Sequence, residues 1–217
     1  MELYHVLNRG VEKKNIFLDT LDYARFVHDM YEFNDTKPAE NTRRRKETAD
    51  FVGPSSRKRI VDIHGWCLMK NHYHLLLTEQ IEKGLSLFVR KLNVGYAKYF
   101  NQRYKRNGYL FQGRTKKIRI TSDAHYLHIL HYVHLNPLDY LQTARDWRNR
   151  NIGSTTAALK HLDTYRWSSY LDYSGEKNFP SVLTTDFFQE KPGAIKNDTA
   201  RYLKDIEIAE VRPFTLE

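Results

Sequence analysis

The segment IVDIHGWCLMKNHYHLLLTE, residues 60–79, constrains the fold more than any other stretch. Two β-prone apolar runs are separated only by the polar pair Lys70–Asn71. That spacing leaves room for a tight hairpin, so the second run (71–79) folds back antiparallel on the first (60–70). A lone hairpin is marginal in water and needs further strands or helices against it. The chain supplies them on both sides. Upstream, ELYHVLNR (2–9) reads as a strand ended by Gly10, and residues 19–33 read as a helix. That helix carries Leu21, Phe26, Val27, Met30 and Tyr31 near helical spacing, with Asp19 or Thr20 as its cap. Downstream, residues 82–104 form a long helix striped by Leu85, Phe88, Val89, Leu92, Tyr96, Tyr99 and Phe100. A fourth strand lies within 108–120, and Thr121 or Ser122 then caps a helix that Pro137 terminates.

The order β-α-β-β-α-β-α predicts an α+β protein. Its core is a ferredoxin-like split βαβ with an antiparallel sheet, helices on one face, and a last helix close to the sheet. Residues 1–140 form this domain, and 141–217 form a C-terminal extension. Residues 36–59 are polar, highly charged and broken by two prolines, as in a long loop; Arg43, Arg44 and Arg45 form a basic cluster in it.

Charge is unevenly distributed. The chain of 217 residues has 35 Lys+Arg against 26 Asp+Glu, a formal charge of +9. From Lys83 to Ser122 there is no acidic residue, while Lys98, Arg103, Lys105, Arg106, Arg114, Lys116 and Lys117 all fall there. Tyr96, Tyr99, Tyr104 and Tyr109 are interleaved with them. Such a stretch suits phosphates and unpaired bases, and it makes these basic side chains, with the 43–45 cluster, candidate DNA contacts. Cys67 is the only cysteine, so neither a disulfide within the chain nor a Cys-based zinc site is expected. The first residues carry no signal-type apolar run, and no stretch approaches the ~20 apolar residues of a membrane span. The expectation is a cytoplasmic protein with no membrane association.

Two local patterns carry chemistry. On a strand, His72 and His74 point to the same side. On a helix they would diverge by about 200°. The pair can be surface decoration, two satisfied histidines, or two ligands of one divalent metal, which neutral imidazole suits. On the helix before Pro137, an apolar stripe of Tyr126, Ile129, Leu130 and Val133 leaves Tyr132 well off it, with Asn136 one turn on and sharing its edge. His125 and His128 lie near that edge as possible acid–base groups or rival ligands.

GWCLMKNHYHLLL resembles the His-hydrophobic-His segment of single-tyrosine HUH transposases, in particular the REP-associated tyrosine transposases. LNRG, LFQGRTKKIRI, YLHILHYVHLNPL and YRWSSYLDY resemble that family's other recurring segments, in the same order. The resemblance covers residues 3–175. It implies that His72 and His74 are metal ligands for Mg²⁺ or Mn²⁺, that Tyr132 is the nucleophile, and that Asn136 occupies the third-ligand position. It further implies a substrate of single-stranded DNA beside a hairpin, cut to give a 5′-phosphotyrosine and a free 3′-OH, by a monomer or a homodimer. A domesticated hairpin-binding protein that does not cut is the alternative. An RNA-binding ferredoxin-like module is a third class, but the central strands lack its aromatic stacking pattern. Residues 176–217 match none of the family's segments.

Overall fold

The computed structural model describes residues 2–37, 57–149, 151–188 and 194–205. Four strands, β1 (Leu3–Arg9), β2 (Val61–Met69), β3 (His72–Glu79) and β4 (Lys116–Arg119), form one antiparallel sheet in the order β2-β3-β1-β4. This is the strand order of a ferredoxin-like split βαβ. The hairpin is as tight as the sequence implies: Met69 pairs with His72, with only Lys70 and Asn71 at the turn.

The helices are α1 (Thr20–Glu32), α2 (Gly84–Arg103), α3 (Asp123–Leu135), α4 (Thr155–Thr164), α5 (Tyr170–Tyr173) and α6 (Ala194–Asp205). Asp19 caps α1, accepting from the backbone N–H of Leu21 at 3.0 Å and of Asp22 at 3.2 Å. Ser122 caps α3 by accepting from His125 N–H at 3.2 Å. Each cap satisfies donors that the first helical turn leaves open. Pro137 sits where α3 gives way to a 3₁₀ turn over Asn136–Tyr140.

Period-two alternation sorts the strand residues onto two faces. Val6, Trp66, Leu68, Tyr73, Leu75 and Leu77 face α1 and α2 and pack with Phe26, Phe88, Leu92 and Tyr96. Leu3, Cys67, Met69 and Leu76 face the other way, against Ile129, Leu130, Tyr132 and Val133 of α3. The two crossover helices thus share a face, and α3 covers the opposite one.

A bulge in β2 lets α3 come close. The register shifts between Ile63 and Gly65, so His64 is the extra residue. A Cβ at Gly65 would meet Leu130 Cδ1 at 2.9 Å and Leu76 Cδ1 at 3.1 Å, so any larger residue must displace these buried methyls where α3 crosses the sheet. His64 is held within the bulge by Thr184 O and Thr78 Oγ1, both at 2.9 Å.

The extension does not stand apart. Ala144, Trp147, Ala158, Leu162, Tyr170, Tyr173, Tyr202 and Leu203 share one hydrophobic cluster with α3 and the sheet. Tyr173 donates to His64 O at 2.6 Å, and Tyr165 to Leu68 O at 2.6 Å. α3 is therefore buried on two sides. This corrects the single apolar stripe assigned to it: Tyr132 is 1% exposed and His134 fully buried, because Trp147 packs on the first and Ser169, Tyr170 and Tyr173 on the second, covering the flank that the stripe leaves to water.

Candidate active site

The sheet register assembles the site. Cys67, His74, Leu7 and Lys116 are successive partners across β2, β3, β1 and β4. Met69, His72 and Arg9 form the next row toward the strand ends. Directly paired residues share a face, so His72, His74, Arg9 and Lys116 all project toward the side that carries α3.

The two histidines stand with ring centroids 4.9 Å apart. His72 Nδ1 lies 2.7 Å from Asn71 Oδ1. An amide oxygen can only accept, so this contact fixes the proton on Nδ1 and leaves the Nε2 lone pair free. His74 Nδ1 lies 2.9 Å from His5 Nε2, and the two rings stack at 5.1 Å. His74 Nε2 is buried and has no hydrogen-bond partner. Burial pushes His72 down to about 4, aided by the positive charges of Arg148 and Arg9. It pushes His74 well below the usual range, with His72, His5 and Arg148 adding to the effect. Both rings are therefore neutral at physiological pH, as metal ligation requires. An orphaned Nε2, a fixed tautomer and second-sphere partners suit a cation held by His72 and His74.

Tyr132 comes from α3 to the same place. Its ring meets His5 at 5.9 Å and His74 at 6.0 Å, edge to face in both cases. The Trp147 ring at 5.7 Å and the Arg148 guanidinium at 5.8 Å also adjoin it. Asn136 is buried below the end of α3. Its Nδ2 donates to Tyr132 O at 2.8 Å and to Val133 O at 3.3 Å, closing the helix end, and its Oδ1 accepts from Arg148 Nη2 at 2.8 Å. A metal-ligand role for Asn136 has to share that oxygen with Arg148.

His125 and His128 do not complete a cluster with the pair. Among the described residues, no three His, Cys, Asp or Glu side chains come together as a metal-binding group. The His128 ring instead packs on Tyr202 at 5.3 Å.

The basic stretch reaches the site through the segment before β4. Gln112 N–H donates to Arg9 O at 2.8 Å, Val11 N–H to Leu110 O at 2.9 Å, and Asn8 Nδ2 to Thr115 Oγ1 at 3.0 Å. Lys98, Lys105, Arg114, Lys116 and Lys117 are exposed, and Tyr109 is 88% exposed between them. Lys117 donates to Ser86 Oγ at 2.6 Å. Arg106 lies over the Phe100 ring at 5.5 Å. Arg103 differs from the others, since it is tied to Asp19 and Asp22 at 2.6 Å each and fastens α2 to α1. Arg43, Arg44 and Arg45 lie outside the described residues.

Sequence reading missed His5 and Arg148. His5 carries a signal, its alternation with Leu3, Leu7 and Arg9, but only the register brings it against His74. Arg148 sits in a polar 3₁₀ turn with no periodic pattern around it.

The sequence model of the family described as "Transposase IS200 like" matches residues 27–136, more than half of the chain. That span contains His72, His74, Tyr132 and Asn136 and leaves out His5 and Arg148. Among solved structures, a REP-associated tyrosine transposase bound to a REP hairpin is similar at 13% identity. The similarity covers 84% of this chain and 84% of that one, with a TM-score of 0.48. No curated protein matches.

Proposed function

The chain belongs to the IS200-like transposase family, and from that premise we propose that it is a single-strand DNA endonuclease and strand transferase whose nucleophile is Tyr132. The observation that carries this reading is the placement of the Tyr132 ring 6.0 Å from His74, whose Nε2 is buried and unpartnered. The proposed substrate is single-stranded DNA beside a hairpin, with its backbone along the exposed lysines and Arg114 that lead into β4.

In this mechanism the Tyr132 oxygen attacks phosphorus while the bond to the 3′ oxygen breaks. The phenolic proton leaves, and the departing 3′ oxygen takes up a proton. The products are a 5′-phosphotyrosine and a free 3′-OH, and the phosphodiester's bond energy stays in the adduct. Attack by a 3′-OH reverses the step and joins strands without ATP. His72 and His74 would hold Mg²⁺ or Mn²⁺, with Asn136 as the third-ligand candidate; when bound, the cation polarises the phosphate and offsets charge that develops on it. His5 and Asn71 keep the two imidazoles in register. Burial of Tyr132 keeps water from competing with the 3′-OH for the adduct.

Incubation with hairpin-bearing single-stranded DNA and Mn²⁺, followed by denaturing electrophoresis, should give a covalent protein–DNA band. Tyr132→Phe should abolish that band while retaining hairpin binding. A band that survives Tyr132→Phe sinks the assignment of the nucleophile. Tight hairpin binding by the unaltered protein with no band under any metal identifies the non-cleaving alternative.

A further inference from the structure

Arg148 is a charged side chain brought to the candidate site by the extension, beyond the span that matches the family. One guanidinium nitrogen donates to the Asp139 carboxylate and the other to Asn136 Oδ1 at 2.8 Å. The guanidinium carbon lies over the Trp147 ring, 4.3 Å from its centre, and 5.8 Å from the centre of the Tyr132 ring. Asp139 also accepts from the Trp147 indole at 2.9 Å, so the Arg148–Trp147 pair is braced from one carboxylate.

We propose that Arg148 forms a phosphodiester-binding subsite that grips the non-bridging oxygens of the phosphate attacked by Tyr132. The inference rests on the transposase reading of the site. In the attack, the tyrosine oxygen closes to bonding distance of phosphorus, which places the non-bridging oxygens about 3 Å from it. A guanidinium whose carbon stands 5.8 Å from the centre of the tyrosine ring is close enough for its N–H groups to meet those oxygens. Arginine has five N–H donors; Asp139 and Asn136 occupy two, and the remaining donors are available to the phosphate. The bonds to Asp139 and Asn136 and the contact with Trp147 keep the cation oriented before substrate arrives.

Arg148 touches Asn136 at the end of the helix that carries Tyr132, so one side chain links the nucleophile's helix to the phosphate. Arg148, like Arg9, lies outside residues 27–136.

The test compares the unaltered full chain with Arg148→Gln and Arg148→Lys. Each is given hairpin-bearing single-stranded DNA at saturating concentration with Mn²⁺. The single-turnover rate of adduct formation and the dissociation constant for the same DNA are measured separately. Arg148→Gln should slow adduct formation about 100-fold, the usual loss for one transition-state donor, with the dissociation constant within about threefold. Arg148→Lys should recover part of the rate, and millimolar guanidinium ion should partly restore Arg148→Gln. If Arg148→Gln forms adduct as fast as the unaltered protein, the subsite does not exist. If rate and affinity fall together and neither lysine nor guanidinium restores the rate, Arg148 only shapes the fold, which also overturns the inference. If the unaltered protein forms no adduct, the nuclease reading fails first and this inference fails with it.

Discussion

His74 shows how a single hydrogen bond sets the chemistry available to a residue. Its Nδ1 is 2.9 Å from His5 Nε2, and its Nε2 is left buried without a partner. An unpaired buried nitrogen costs free energy, so the arrangement persists because surrounding structure imposes it. Leu75, Leu76 and Leu77, all fully buried, anchor the strand immediately after the histidine and hold its ring in place. His5→Phe keeps a ring stacked on His74 while removing the nitrogen that faces it. Second-sphere partners of ligating histidines are typically worth 10–100-fold in metal affinity, and His5→Phe should weaken Mn²⁺ binding by roughly that factor. Isothermal titration with Mn²⁺ measures this directly, and unchanged affinity would mean that His5 does not orient His74. The candidate pair itself was legible because its signal is local: two residues apart on a strand means one face. His5 was not, because its partner lies across the sheet, and alternation within β1 leaves open which residues of β3 it meets.

At the level of elements, the β2 bulge decides how closely α3 approaches the sheet, and hence where Tyr132 lies relative to His74. The hairpin, the helix caps and the strand order were all readable, since each rests on turn chemistry or periodicity within a short window. The bulge was not readable, because His64–Gly65 continues an apolar run without a break and only the pairing with Leu76 shows the extra residue. Nor was the burial of α3 on two sides. Its sequence is apolar or histidine nearly all round, which fits either an exposed edge or a second layer, and the extension decides between them. Gly65→Val places branched carbons where a Cβ alone would already be 2.9 Å from Leu130. Overpacking of this kind costs about 1–3 kcal/mol, to be read from the midpoint of urea unfolding. Because the displaced element carries Tyr132, adduct formation should fall further than the stability loss alone accounts for. An unchanged adduct rate in a destabilised variant would show that the α3 position tolerates movement.

Across the whole molecule, the sheet has two different covers. The α1–α2 face is sealed by aliphatic and aromatic side chains, whereas the α3 face buries a layer of imidazoles between α3 and the extension. His131 stacks on Tyr202 at 4.7 Å and lies 3.3 Å from Thr199 Oγ1, and His134 Nε2 lies 2.8 Å from Ser169 Oγ. Burial holds His131 down to about 4, with His128 pushing the same way and Asp198 opposing, and holds His134 well below the usual range. In the unfolded chain these groups titrate near ~6.5. As pH falls through that value, the unfolded state takes up protons that the folded state refuses, so stability is complete above it and declines below it. For His131 the decline runs from about 6.5 to about 4 and then levels off, once the folded form also binds the proton. Each such group contributes a slope of up to ~1.4 kcal/mol per pH unit inside its window. The unfolding free energy in urea should therefore be flat from pH 8 to 7 and fall steadily from pH 6 to 4.5. His131→Gln, which cannot titrate, should shallow that fall while keeping a polar group opposite Thr199. A slope that His131→Gln leaves unchanged would place the acid sensitivity elsewhere than in the layer joining the extension to the nucleophile's helix.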